Sequence, residues 1–338
     1  MSPALLAIVL VLALVMAYVN GFHDASNAVS TAITTRSLKE STALAMAAVL
    51  NLLGALLGML LLAVTAHWAV SLLGLGELAE QAGGAPDVLG MALVSILVAT
   101  LSWEIITWWY GMPSSTWHSF YGGTIGASLA IGAAAAWDRL AAILVVSVVG
   151  PAVAALAAYL LMHGILALGR GERLRIEHLR FAQTVSAGAV ATGHGLSDAR
   201  LPLAVVVVAT SSAGLHIGDS LALMLPVAVA VAAGTLMGGH RIIRTIGRRL
   251  TDLSTAQGLA AESSAVAFMT LGVFGLESPI SSSQSLASSV VGAGVAMGPR
   301  HVRWAVARSI VVTWLTTPVV TGVFAAALSG VMLELQIG

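Results

Sequence analysis

The residues of this chain whose types and spacing could do chemistry lie inside apolar surroundings. The first group is Asn20–Thr35 (NGFHDASNAVSTAITT), where Asp24 follows a long apolar run. A carboxylate there is costly in lipid, so Asp24 should face a cavity or the protein interior. Asp24 and Asn27 are three apart and share one helix face. Gly21 is expected to break the helix and free backbone carbonyls. With those carbonyls, Asp24 and Asn27 would form an oxygen cage for Na+ or a proton-accepting site, with His23, Ser30, Thr31 and Thr34 adding donors nearby. The competing reading makes Asp24 an N-cap at the membrane surface. Asp198 stands in a similar Gly-x-x-Asp setting, Gly195-Leu196-Ser197-Asp198, and tips the choice towards function.

A second chemistry belongs to the segments that begin at Pro113 and Pro279. Proline fits the first turn of a helix, and the hydroxyls of Ser115, Thr116, Ser281, Ser282 and Ser283 follow at once. A helix N-terminus rimmed by hydroxyls suits a tetrahedral oxyanion. Neutral donors also hold it weakly enough for release, as a carrier must. Gly122-Gly123 is read as a turn, which makes Pro113–Gly132 a hairpin that dips into the bilayer and returns. The alternative for both segments is a polar helix interface.

Four further ionisable residues stand out. Glu104, inside an apolar segment nine residues before Pro113, is a candidate for proton coupling. Glu262 is similar, although a cap or an arginine partner fits it equally. His118 either contacts the substrate or ties the hairpin to a neighbour. Arg200, two after Asp198, either neutralises that carboxylate or snorkels.

The elements that position these residues are membrane helices. Charged residues are 9% of 338 and apolar residues 58%, with a mean hydropathy of +0.95, so a water-facing surface cannot be covered. A spanning helix needs about 20 mainly apolar residues. Candidates are Pro3–Tyr18, Ala43–Val70, Leu89–Tyr110, Leu140–Leu161, Pro202–Leu215, Ser220–Met237, Leu259–Phe274 and Trp304–Leu328. The first is read as a retained helix, since no basic n-region or cleavage site accompanies it. Zero net charge gives no argument for nucleic acid, and zero cysteines exclude disulfides, thiolate metal sites and cysteine nucleophiles. Short basic loops stay cytoplasmic. This places Arg36/Lys39, Arg170–Arg180 (with Arg173 and Arg175) and His240–Arg249 inside, and the acidic Gly74–Asp87 outside. Arg139 and Arg300/Arg303 are not placed by counting spans. On their own, the arginines set topology and anchor helices at headgroups.

An internal repeat organises the chain. Gly111–Gly132 aligns without a gap on Glu277–Gly298, pairing Pro113 with Pro279 and Gly126 with Gly292, at an offset of 166 (279 − 113). Asp24 and Asp198 pair at 174 (198 − 24), in the same order. Two halves with matching glycine-interrupted polar segments are the pattern of transporters built from repeats.

These motifs carry a resemblance. NGFHDASNAVSTAITTRSL resembles the first signature of the inorganic phosphate transporter (PiT) family. GMPSSTWHS resembles its Pro-x-Ser-Ser/Thr-Ser/Thr-His motif and SPISSSQS the second copy. GGHRIIRTIGRRLTDLSTAQGLAAESSAVA, with Glu262, is similar to its C-terminal half. The resemblance implies an all-α polytopic membrane protein of two inverted repeats with broken helices and re-entrant helical hairpins. It implies phosphate transport driven by Na+ or H+. Asp24, Asn27 and Asp198 would serve the coupling ion (as Na+ ligands if Na+ is used), and Ser115, Thr116, Ser281, Ser282 and Ser283 the phosphate. Departures are Leu201 where the first half has Asn27, Ser197 where the second signature usually has Asn, Trp117 for the third hydroxyl, and Gln284 where His118 stands.

The expectation is therefore a phosphate symporter of the cell membrane, with repeats 1–168 and 183–338 joined by a basic linker 169–182. Its partners are phosphate, a coupling cation and the bilayer, with no cofactor; a homodimer is compatible with these observations. The alternatives are a sulfate or other oxyanion permease, or an anion channel. An enzyme is not expected, because no HExxH or CxxC spacing occurs.

Overall fold

The computed structural model describes residues 1–72, 74–82, 85–133, 137–170, 175–215, 221–274 and 280–337. Among them the chain is helical: α1 Pro3–Thr34, α2 Glu40–Leu72, α3 Leu75–Gln81, α4 Pro86–Tyr110, α5 Thr116–Ala130, α6 Trp137–Gly169, α7 Ile176–Asp198, α8 Arg200–Ser212, α9 Leu221–Met237, α10 His240–Arg244, α11 Thr255–Phe274, α12 Ser282–Ala296 and α13 Trp304–Ile337. A π-helical turn, Thr245–Arg249, continues α10. Five of the described helices are long and apolar enough to cross a bilayer, and Leu225–Met237 with His240–Arg249 forms a pair bent by 50° that makes a sixth candidate if it counts as one span.

Local sequence explains the boundaries around the polar segments. Gly111 takes φ +68 and ends α4, a left-handed cap that a β-carbon would strain. Met112–Ser115 is extended, and Ser115 caps α5 by accepting from the His118 N–H. Ser281 caps α12 in the same way from Gln284 N–H. Both short helices thus start deep in the molecule. Pro279 and Glu277, at the start of the second motif, lie outside the described residues, as does Arg173.

The two halves are inverted. Asp24 of α1 lies beside Asp198 of α7, Thr31 shares Glu262 with Ser186, and Thr35 bonds Gln183. Residue numbers rise along α1 as they fall along α7, so the equivalent helices run antiparallel. Packing is reciprocal too. A β-carbon at Gly21 of α1 would lie 2.1 Å from the Val231 carbonyl oxygen of α9; one at Gly195 of α7 would lie 2.0 Å from that of Asn51 of α2. A β-carbon at Gly126 of α5 would lie 1.9 Å from the Gly322 carbonyl oxygen of α13, and one at Gly292 of α12 would lie 1.9 Å from that of Ala155 of α6. Lipid is as apolar as leucine, so helices associate through such close contacts and not through burial from water.

Two cores interleave the halves. Met16, Leu93, Phe120 and Val205 join α1, α4, α5 and α8. Met162, Ile246, Ala261, Val290 and Trp314 join α6, the π-helical turn, α11, α12 and α13. Val145, Val148, Leu315, Val319 and Val323, on α6 and α13, point outward as lipid-facing side chains do.

Charge separates to the two ends. Gly247 abuts Thr34, Arg303 N–H donates to Leu250 O at 2.9 Å, and the Arg303 guanidinium pairs with Asp252. Arg36, Arg175, Arg241–Arg249 and Arg300/Arg303 therefore share one end. Met1 meets Asp87 at the opposite end, where Glu77 and Glu80 also lie. This places Arg300/Arg303, which span counting left open, with residues 240–249, which the sequence reading took as a loop and which are helical. Arg139 lies in the first turn of α6, its side chain outside those described.

Three expectations are corrected. α1 runs through Gly21 without a break; that glycine serves close approach to α9, so no carbonyls are freed there. Among the described residues the interruption falls in the second half, at Ala199 between α7 and α8, and Pro202–Leu215 is the continuation past it. Gly122-Gly123 is helical as well, since a β-carbon at Gly122 would lie 2.2 Å from the Pro318 carbonyl oxygen. The first hairpin turns instead at 111–115. Thr116 faces Glu104, and Gly123 faces Ile96, so α5 returns antiparallel along α4.

Candidate functional site

Because α1 is unbroken at mid-length, only its side chains are available there for a ligand. Asn20, Asp24, Asn27 and Thr31 recur at helical spacing and form one buried polar stripe. Both short helices start against this stripe. Thr116 Oγ1 donates to Asn20 Oδ1 at 2.8 Å. One turn along, Ser283 Oγ donates to Asp24 Oδ1 at 3.3 Å and Ser282 Oγ to Oδ2 at 3.5 Å. Asn27 Nδ2 donates to Asp24 Oδ1 at 2.9 Å and to Ser283 Oγ at 2.7 Å. Its Oδ1 is buried with no partner among the described residues.

Asp24 is thus inside a helix and is not an N-cap. His23 Nδ1 lies 3.2 Å from its Oδ1, and the other ring nitrogen reaches Thr107 Oγ1 and Ser114 Oγ, both at 3.3 Å. This links α1 to α4 and to the turn before α5. Glu104, one turn before Thr107, is fully buried near Thr116, and among the described residues neither carboxylate oxygen has a partner in hydrogen-bond geometry.

From the second half, α7 brings its last residue, Asp198, to the same place. His194 Nδ1 lies 3.2 Å from Asp198 Oδ2, and single ligand atoms of Asp24, His194 and Asp198 all lie within 4.8 Å of one another. The sequence reading found both carboxylates and missed His194. The repeat offset was the signal: His194 is 174 residues after Asn20, as Asp198 is after Asp24. Asn27 adds its unpartnered oxygen on the Asp24 side. Arg200 is buried at the start of α8, which sets snorkelling aside.

The electrostatics divide the site. Asp24 and Asp198 bring two buried carboxylates together, so that side suits a cation. The N-termini of α5 and α12 present partial positive charge and hydroxyls, so that side suits an anion. A hard cation such as Na+ takes oxygen ligands. Asp24, Asp198 and Asn27 Oδ1 offer these, whereas the two imidazoles suit a proton better.

Two residues with open readings are resolved by their contacts. His118 ties the hairpin to a neighbour: its Nδ1 lies 2.6 Å from Ser115 Oγ, and its Nε2 contacts Ser147 Oγ of α6. Glu262 neither caps α11 nor pairs with arginine. It accepts from Thr31 Oγ1 and, at 2.5 Å, from Ser186 Oγ.

Helices in two inverted halves, with short-helix N-termini converging on buried carboxylates, define a multi-pass membrane transporter. The family model described as "Phosphate transporter family" matches the chain twice, over residues 20–176 and 169–325. A "Probable low-affinity inorganic phosphate transporter" of Mycobacterium tuberculosis is 34% identical over 306 residues, 87% of this chain and 70% of that one. Its Bacillus subtilis counterpart is 26% identical over 234 residues, 67% of this chain and 70% of that one. A solved structure, "The sodium-dependent phosphate transporter", shares the fold with a TM-score of 0.81 at 20% identity, covering 98% of this chain and 99% of that one. The chain belongs to the phosphate transporter family.

Proposed function

We propose that this chain is a secondary active transporter that carries inorganic phosphate together with protons. The observation that carries the reading is the meeting of two buried His–Asp pairs, His23–Asp24 and His194–Asp198, with the hydroxyl-bearing N-termini of α5 and α12. In this reading Ser115, Thr116, Ser281, Ser282 and Ser283 cradle phosphate. Asp24 and Asp198, with Asn27 and Glu104 around them, take up the coupling charge. Cation and anion then share α1, since Ser282 and Ser283 bond the Asp24 carboxylate directly. Protonating Asp24 would weaken its hold on these hydroxyls and free them for the anion.

A Na+-coupled reading is favoured by one observation, the buried Asn27 Oδ1 without a partner beside Asp24. Uptake of labelled phosphate into proteoliposomes, with Na+ and proton gradients imposed separately, distinguishes the two. Accumulation under an inward proton gradient in Na+-free buffer is expected. Accumulation that requires Na+ would replace the proton by Na+ at the same carboxylates, and equal competition by sulfate would overturn the substrate assignment.

A further inference from the structure

The geometry points to His118 and Ser147 as positioning residues that turn Ser115 into a hydrogen-bond acceptor, so that the site accepts protonated phosphate and rejects sulfate. This deepens the proposed function and rests on Ser115 lying at the anion.

The chain of donors can be followed atom by atom. Ser147 Oγ donates to Ile143 O at 2.6 Å, the back-bond common for serine in helices, so its only proton is committed. It meets His118 Nε2 as an acceptor, which places the ring proton on Nε2. His118 is buried, with hydroxyl partners and no carboxylate among the hydrogen bonds described for it, and is neutral. Its Nδ1 then carries a lone pair, and Ser115 Oγ donates to it across 2.6 Å. One Ser115 lone pair already accepts His118 N–H as the helix cap. What remains for a ligand is a second lone pair and no proton.

Asp24, the carboxylate that Ser282 and Ser283 contact, is engaged. Asp24 Oδ1 is met by His23, Asn27 and Ser283, and Oδ2 by Ser282. The second hairpin differs: Ser281 Oγ accepts Gln284 N–H, and residue 284 has no ring to claim the hydroxyl proton. No described hydrogen bond takes the Ser281 hydroxyl proton, so Ser281 can donate where its counterpart Ser115 cannot. Phosphate near neutral pH keeps a proton that Ser115 can accept, whereas sulfate presents a lone pair to a lone pair.

The test is sulfate inhibition of labelled phosphate uptake, read as the ratio of the sulfate inhibition constant to the phosphate KM. Ser147→Ala removes the acceptor for Nε2–H, so the ring proton moves to Nδ1 and Ser115 regains a proton to donate. The ratio should fall about tenfold or more, the scale of one hydrogen bond to a charged group. Ser147→Thr, which keeps the hydroxyl, should hold the parent ratio. Ser115→Ala should weaken phosphate itself. An unchanged ratio in Ser147→Ala, with phosphate weakened in Ser115→Ala, overturns the selectivity role alone. Unchanged phosphate KM in Ser115→Ala overturns the underlying placement of the anion. Nitrogen NMR shifts of labelled histidine give a readout independent of transport: Nε2 protonated and Nδ1 bare is expected for His118, and the reverse refutes the relay.

Discussion

Replacing Asp24 by asparagine separates the charge of this site from its shape. The side chain keeps its volume and one oxygen. Oriented with that oxygen at the Oδ1 position, it retains acceptance from His23, Asn27 and Ser283 and loses only the 3.5 Å contact from Ser282. The three retained bonds lose their charge assistance, about 1 kcal/mol each. Relief from burying a carboxylate, several kcal/mol, offsets that loss. Folding should therefore change little, with a thermal midpoint within a few degrees of the parent. Concentrative uptake should vanish, because an amide cannot take up a coupling proton. The assay is labelled-phosphate accumulation in proteoliposomes under a proton gradient, alongside gel filtration and thermal unfolding. Accumulation at the parent level by the Asp24→Asn protein would refute the reasoning.

Other outcomes follow from the same coordinates. Ser283→Ala removes the 2.7 Å bond from Asn27 and the donor to Asp24, and should raise the phosphate KM about tenfold; an unchanged KM would make α12 a packing element. Gly292→Ala sets a β-carbon 1.9 Å from the Ala155 carbonyl oxygen, well inside the roughly 3.5 Å that carbon contacts need. Separating α12 from α6 should cost about 1–3 kcal/mol and reduce the yield of folded protein, whereas Gly132→Ala, with nothing within 4 Å, introduces no such clash and adds only its φ +74 strain. Single cysteines introduced at Arg175 and Arg244 should resist an impermeant reagent in intact cells, and one at Glu80 should react; the reverse pattern inverts the topology.

The repeat, the two carboxylates and the hydroxyl motifs were legible in the sequence because each is a polar exception in an apolar chain. Gly21 was misread because the residue type is ambiguous. Glycine breaks a helix or lets another backbone approach, and only the partner's position, here the Val231 carbonyl, decides between them. The same ambiguity moved the hairpin turn from Gly122-Gly123 to Gly111, where the positive φ is. His194 escaped notice because its counterpart Asn20 is chemically unlike it, so the alignment of halves showed no match there. Ser147 could not be found at all, since it meets His118, 29 residues away in sequence, only in the folded molecule.

The account's central claim is that the two buried His–Asp pairs move protons with phosphate. The most direct measurement is the internal pH of proteoliposomes, reported by a trapped dye in Na+-free buffer with no imposed proton gradient, when phosphate is added outside. The account predicts acidification of the lumen that saturates with phosphate, disappears in Asp24→Asn and does not appear with sulfate. Phosphate uptake with no change in internal pH, or uptake that begins only when Na+ is supplied, would contradict it.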